Sequence, residues 1–144
     1  MSAAVKRSGP RRRTNARRGA AVVEFALVAP ILLLLVVGTI EVGRAIMVKD
    51  SLTVASREGA RVAGNSATTT VSTVQSAVNS YLAGADITGA TTSVSPDLAQ
   101  VADGQPVTVT VSIPYSAVSW VKSPWFLSGQ TMTATSVMVR QPSP

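Results

Sequence analysis

At 144 residues the chain has room for one modest domain, and it contains neither cysteine nor histidine. Zinc sites, thiol nucleophiles, Ser-His-Asp triads and haem ligation by His or Cys are therefore excluded. A formal net charge of +6 would ordinarily point to nucleic acid or an anionic surface. Seven of the thirteen basic residues (Lys6, Arg7, Arg11, Arg12, Arg13, Arg17 and Arg18) precede Gly19, however, where there is no acidic residue. Residues 20–144 carry six basic and seven acidic groups, a net −1. The basicity belongs to the tail, and no nucleic acid is expected as a partner. Absence of cysteine leaves the redox compartment open. Apolar residues at 46% with only 14% charged residues fit a membrane segment joined to a Thr/Ser/Val-rich domain.

Residues 1–18 lack apolar periodicity and read as a disordered, basic leader. Ala20 to Ile40 then holds a single ionisable group, Glu24, and thirteen Leu, Ile, Val or Phe residues. As a helix this segment spans about 32 Å, roughly one bilayer hydrocarbon core. Its apolar residues favour insertion by about 4 to 8 kcal/mol, against a cost of about 3 kcal/mol for a central carboxylate. Insertion wins. Pro30 removes one backbone donor and predicts a kink, which a spanning helix tolerates. A cleaved secretory signal would need a shorter apolar core, a small-residue cleavage site and a polar mature start. The sequence instead continues unbroken into Glu41-Val42-Gly43-Arg44-Ala45-Ile46. Seven positive charges before the span, against balanced charges just after it, put the N-terminus in the cytoplasm and the rest outside. That orientation describes a single-pass protein of the inner (cytoplasmic) membrane.

Residues 41–64 have mixed character at helical spacing and predict an amphipathic continuation of the same helix, closed at Gly64-Asn65 by a left-handed turn. Ala55, Gly59 and Ala63 place small side chains four apart, either as a stripe for close helix packing or by coincidence in an Ala-rich chain. Glu41 with Arg44, and Glu58 with Arg61, read as ordinary surface pairs. Residues 65–144 predict a small α+β domain. Val71, Val74, Val78 and Leu82 mark a short helix from Thr69 to Ala83, closed by Gly84. Val107, Val109, Val111 and Ile113 alternate with Thr108, Thr110 and Ser112, the pattern of a strand with one buried face. A weaker strand at residues 91–94 pairs with it across the Asp103-Gly104 turn, and a third runs from Thr131 to Val139 with its apolar residues changing face midway. Between the last two strands lies a loop of about fifteen residues holding Pro114, Trp120, Pro124, Trp125 and Gly129. Its tryptophans either cover a small core, contact a partner or dip to a membrane surface.

The junction Arg17-Arg18-Gly19-Ala20-Ala21-Val22-Val23-Glu24-Phe25 carries the functional information. A basic leader, a Gly, and an apolar helix whose fifth residue is Glu followed by Phe resembles the signal of type IV pilins. The resemblance implies a prepilin peptidase cutting between Gly19 and Ala20, so that the apolar helix stays on the mature protein. Gly suits such a site because it admits an extended, unencumbered backbone. Glu24, expensive in lipid, is implied to serve subunit assembly with Phe25 by attracting the N-terminal amine of a neighbouring subunit. Alternatively it sits among headgroups and pairs with Arg17 or Arg18. The longer run through Gly38-Thr39-Ile40-Glu41-Val42-Gly43-Arg44 and Ala55-Ser56-Arg57-Glu58-Gly59-Ala60-Arg61 resembles the TadE-like family of tight-adherence (Flp) pilus assembly proteins. That family implies a minor pseudopilin in the inner membrane, working with the peptidase, other pilin-like subunits and the pilus assembly platform.

The second reading is a bitopic envelope binding module, uncut, that uses Trp120 and Trp125 to capture a partner. An enzyme is disfavoured because only seven carboxylates exist, no pair has acid and base spacing, and no phosphate loop is present. Neither a cofactor nor a small-molecule substrate is expected.

Overall fold

Fifty consecutive residues, Thr14–Ala63, form one α-helix, α1, which runs through Pro30. A computed structural model describes residues 14–68, 70–120 and 129–142. After α1 come α2 (Val71–Gly84), β1 (Thr91–Ser95), β2 (Pro106–Pro114), a single 3₁₀ turn at Tyr115–Ala117, and β3 (Thr131–Val139). The order matches the expected α+β architecture of a long apolar helix, a short second helix and an antiparallel sheet. The chain divides into two units between Thr39 and Ile40.

The first unit is helical from Thr14, whereas the basic segment before Gly19 reads from sequence as disordered. Arg and Ala have good helix propensity, and a helix already nucleated by an apolar run extends upstream at little cost. All thirteen large apolar side chains from Val22 to Ile40 are exposed, Phe25 at 70% and Leu34 at 67%. The helix carrying them is long and apolar enough to cross a membrane. Its one interior hydroxyl, Thr39 Oγ1, donates to the Leu35 carbonyl at 2.9 Å, so no polar donor is left open there.

In the second unit α1 changes character. Glu41, Val48, Leu52, Ala55, Ser56, Ala60 and Ala63 are buried, a single stripe at three- and four-residue spacing. Opposite it lie Val74, Val78 and Leu82 of α2 and the inner face of the sheet. Val107, Val109, Val111 and Ile113 are wholly buried, as their alternation requires. The sheet has order β1-β2-β3 with both pairs antiparallel, Thr92 opposite Val111 and Val111 opposite Ala134. Gly104 has φ +82 in the connection before β2, consistent with the Asp103-Gly104 turn signal. On β3, Ala134 is buried while Val137 and Val139 are exposed, so its apolar residues do change face.

Gly59 is where the closest approach occurs. A Cβ built there would stand 2.7 Å from Val78 Cγ2 and 3.1 Å from Val109 Cγ1, distances no side chain could occupy without displacing α2 or β2. The Ala55-Gly59-Ala63 stripe thus lies against elements of its own chain. Ser56 adds a polar tie, its Oγ donating to Thr53 O at 2.9 Å and lying 2.8 Å from Ser136 Oγ on β3.

Several local expectations require correction. Gly64 is not among the residues with positive φ, so no left-handed turn ends α1. Glycine is needed there for space, since an added Cβ would meet Met138 Cγ at 2.7 Å and the Val139 carbonyl at 3.2 Å. Gly84 belongs to α2, and the left-handed residue is Asp86, φ 56. Ile87 N donates to Leu82 O at 2.9 Å and Asp86 N to Ala83 O at 3.1 Å, with Ile87 and Leu82 both buried. That is the hydrogen-bond pattern of a Schellman motif, with Asp in place of glycine, which an Asx side chain tolerates. The second helix runs from Val71, with Thr70 at its N-cap, to Gly84, where the spacing predicts Thr69 to Ala83. The loop between β2 and β3 contains the unexpected 3₁₀ turn, while Pro124 and Trp125 lie outside the described residues.

Placing valine at Gly59 should lower stability by about 1–3 kcal/mol through overpacking. Gly43→Ala, where a Cβ meets nothing within 4 Å, should instead gain up to about 1 kcal/mol from helix propensity. Thermal unfolding of the detergent-solubilised chain, followed by circular dichroism, compares the two directly.

Candidate functional site

The sequence-derived site residues fall into two groups that do not meet. Gly19, Ala20, Glu24 and Phe25 lie on the first unit of α1, all exposed, and an added Cβ at Gly19 meets nothing within 4 Å. The Gly19–Ala20 bond lies inside the helix, in α rather than extended backbone. Ala55, Gly59 and Ala63 are buried in the second unit.

A third group was not anticipated. Glu41, one residue past the apolar run, is 1% exposed instead of forming a surface pair. Its Oε2 accepts hydrogen bonds from Tyr115 Oη at 2.6 Å and from Ser119 Oγ at 3.0 Å, and Tyr115 Oη also lies 3.3 Å from the Glu41 carbonyl. A buried carboxylate is tolerable only with such donors, because its desolvation otherwise costs several kcal/mol. Burial, reinforced by the hydrogen bond to the Glu41 carboxylate, pushes the Tyr115 hydroxyl up to about 12 from its ordinary 10. Tyr115 therefore remains a protonated donor throughout the neutral range.

Arg44 turns away from Glu41. Its Nε donates to the Val118 carbonyl at 3.3 Å and its guanidinium lies 5.8 Å from the centre of the Trp120 ring, within cation–π range. Trp120 is 70% exposed. Glu41 and Arg44 together hold the segment from Tyr115 to Trp120 against the start of the second unit. The Glu58–Arg61 pair, by contrast, forms as expected, with contacts of 2.6 and 2.9 Å. The Arg61 hydrogen bond holds the Glu58 carboxyl below its usual range, at an exposed site where screening leaves little net stabilisation.

Beside this cluster opens a groove of about 710 Å³ whose walls include Val42, Ala45, Ile46, Tyr115 and Met132. Lys49, also on its wall, donates to the backbone carbonyl of Thr133 on β3. No group of three or more acidic side chains that could hold a metal ion occurs among the described residues.

The family model of TadE-like proteins matches residues 19–61. The chain resembles TadE-like proteins over that stretch, which takes in the Gly-Ala-Ala-Val-Val-Glu-Phe junction, the apolar run and most of the buried stripe. The family is a pilus-associated, structural one. No curated protein and no solved structure matches.

Tyr115→Phe leaves the Glu41 carboxylate short of one donor and should destabilise the protein by about 1–3 kcal/mol, read as a lower unfolding temperature in detergent. The pH dependence has a definite sign. A hydroxyl whose folded pKa is raised contributes stability that is fully present below pH 10 and lost as pH climbs towards 12. Wild-type stability should fall across that interval, and Tyr115→Phe should flatten the fall in an alkaline unfolding series.

Proposed function

We propose that this chain is a minor pilin-like subunit of a tight-adherence pilus or a related secretion system, anchored in the cytoplasmic membrane by its apolar helix. The observation that carries this reading is the TadE-like match over residues 19–61, which begins at Gly19 itself. In support, the helix beyond Gly19 exposes every large apolar side chain from Val22 to Ile40. The reading divides the chain into a leader (1–19) removed by a prepilin peptidase, a membrane helix (20–40), its amphipathic continuation (41–64) and an extracytoplasmic domain (65–144).

Cleavage deletes seven positive charges and leaves one amine at Ala20. Glu24, one turn further along and the sole ionisable side chain in the apolar run, is the natural partner for the corresponding amine of a neighbouring subunit. Bringing the two together neutralises both charges in a low-dielectric setting. Phe25 adds an aromatic contact at the same level. The work is structural, done by helix association with other pilin-like subunits and the assembly platform.

Intact-mass analysis of the protein from its own cells should show a chain starting at Ala20, and Gly19→Leu should yield the uncut precursor. Wild-type protein still carrying Met1–Gly19 would refute processing. Glu24→Leu should be cut normally yet co-purify with fewer partner subunits.

A further inference from the structure

The exposed apolar surface does not stop where the span ends. Val42, Ile46 and Met47 are 54, 58 and 63% exposed, Trp120 projects at 70%, and Arg44 stacks on its ring. Val42, Ile46 and Met47 carry the apolar character of the span onward over less than half of the helix circumference, and the half-buried Arg44 borders the enclosed face. At about 100° per residue, Ile46 lies about 40° round α1 from Val42, Met47 about 140° and Arg44 about 200°, while the buried Glu41, Val48 and Ala55 take the remaining sector. What selects the occupant is height: with about 1.5 Å of rise per residue, Val42 and Arg44 follow Ile40 by about 3 and 6 Å. The interfacial region outside the hydrocarbon is about 5–8 Å deep.

We propose that Arg44 and Trp120 are an interfacial anchor, holding the start of the second unit in the headgroup layer of the outer leaflet. Resting on the membrane reading of residues 20–40, the proposal assigns the occupant of this surface as phospholipid headgroups. The indole occupies the polar–apolar boundary, where tryptophan partitions best. The guanidinium, weakly hydrated and rich in donors, meets lipid phosphate. Glu41 and Tyr115 act as positioning residues, since their 2.6 Å hydrogen bond fixes the segment carrying Trp120 beside the helix. Val42 is covered by the same layer, Ile46 at about 9 Å stands at its outer edge, and Asp50, ten residues beyond Ile40, lies above it.

The test uses the full chain in phosphatidylcholine–phosphatidylglycerol vesicles. Only two tryptophans exist, so Trp125→Phe leaves Trp120 as the sole indole. Doxyl-labelled lipids then report its depth. Labels near the headgroup should quench Trp120 at least twofold more than labels near the chain terminus, with aqueous iodide suppressed. Full iodide access with no lipid quenching would overturn the proposal. Leu33→Trp in a Trp120→Phe, Trp125→Phe background reads the span separately. If that probe is quenched by deep labels while Trp120 is not quenched at all, the anchor fails and the membrane helix stands. If Leu33→Trp is untouched as well, the membrane reading itself falls. The chain has no cysteine, so Val42→Cys carrying a nitroxide, about 3 Å beyond Ile40, supplies a second reading without touching either tryptophan. Oxygen contact exceeding that of a water-soluble nickel chelate supports the headgroup position, and the reverse refutes it.

Discussion

One continuous helix serves two surroundings, and the change occurs at a single residue. Up to Ile40 every large apolar side chain of α1 faces outward, and at Glu41 a side chain is enclosed for the first time. That it is a carboxylate imposes a condition on the rest of the unit, because donors must be delivered to it from elsewhere in the chain. They come from residues 74 and 78 positions later, Tyr115 and Ser119. The 3₁₀ turn, the seat of Val118 and the location of Trp120 all follow from meeting that requirement.

The rest of the unit is organised by close approach. A stripe of Ala55, Gly59, Ala60 and Ala63 lets α2 and β2 come in to distances that larger side chains would forbid, and the valines of those elements fill the space. Surface used in this way cannot also serve an external partner. On the second unit of α1, the large exposed apolar residues left for contacts are Ile40, Val42, Ile46, Met47 and Val54 among the described ones. Most of the exposed apolar surface of α1 therefore lies before Glu41, the stretch in which the TadE-like resemblance begins.

Much of this architecture is legible in the sequence because it rests on periodicity. Burial follows the 3.6- and 2-residue repeats closely in α2, in β2 and along α1 beyond Glu41, and departs from them in β3, where the apolar residues change face. The Glu58–Arg61 pair is similarly local. What could not be read is non-local. Glu41 and Arg44 stand three apart on a helix and look like a surface pair, but burial of one face sends each to a different partner on a segment more than seventy residues away. Glycine roles were legible only in part, since Gly59 and Gly64 are demanded by neighbours that sequence spacing does not reveal, whereas Gly104 announces its turn through the preceding Asp. Asp86, in the left-handed position normally given to glycine, carries no signal that distinguishes it from Gly84 two residues earlier.

The sheet ends on β3, nine residues without a charge or a proline. Strand edges of that composition ordinarily invite lateral pairing with other chains. Here the guard is supplied from outside the strand. α1 touches β3 near its start through Lys49 and the Thr133 carbonyl, at its middle through Ser56 and Ser136, and near its end through Gly64 beside Met138. The helix that carries the apolar run is thereby also a clasp on β3. An exposed apolar run and the guarding of an edge strand thus fall to one and the same element.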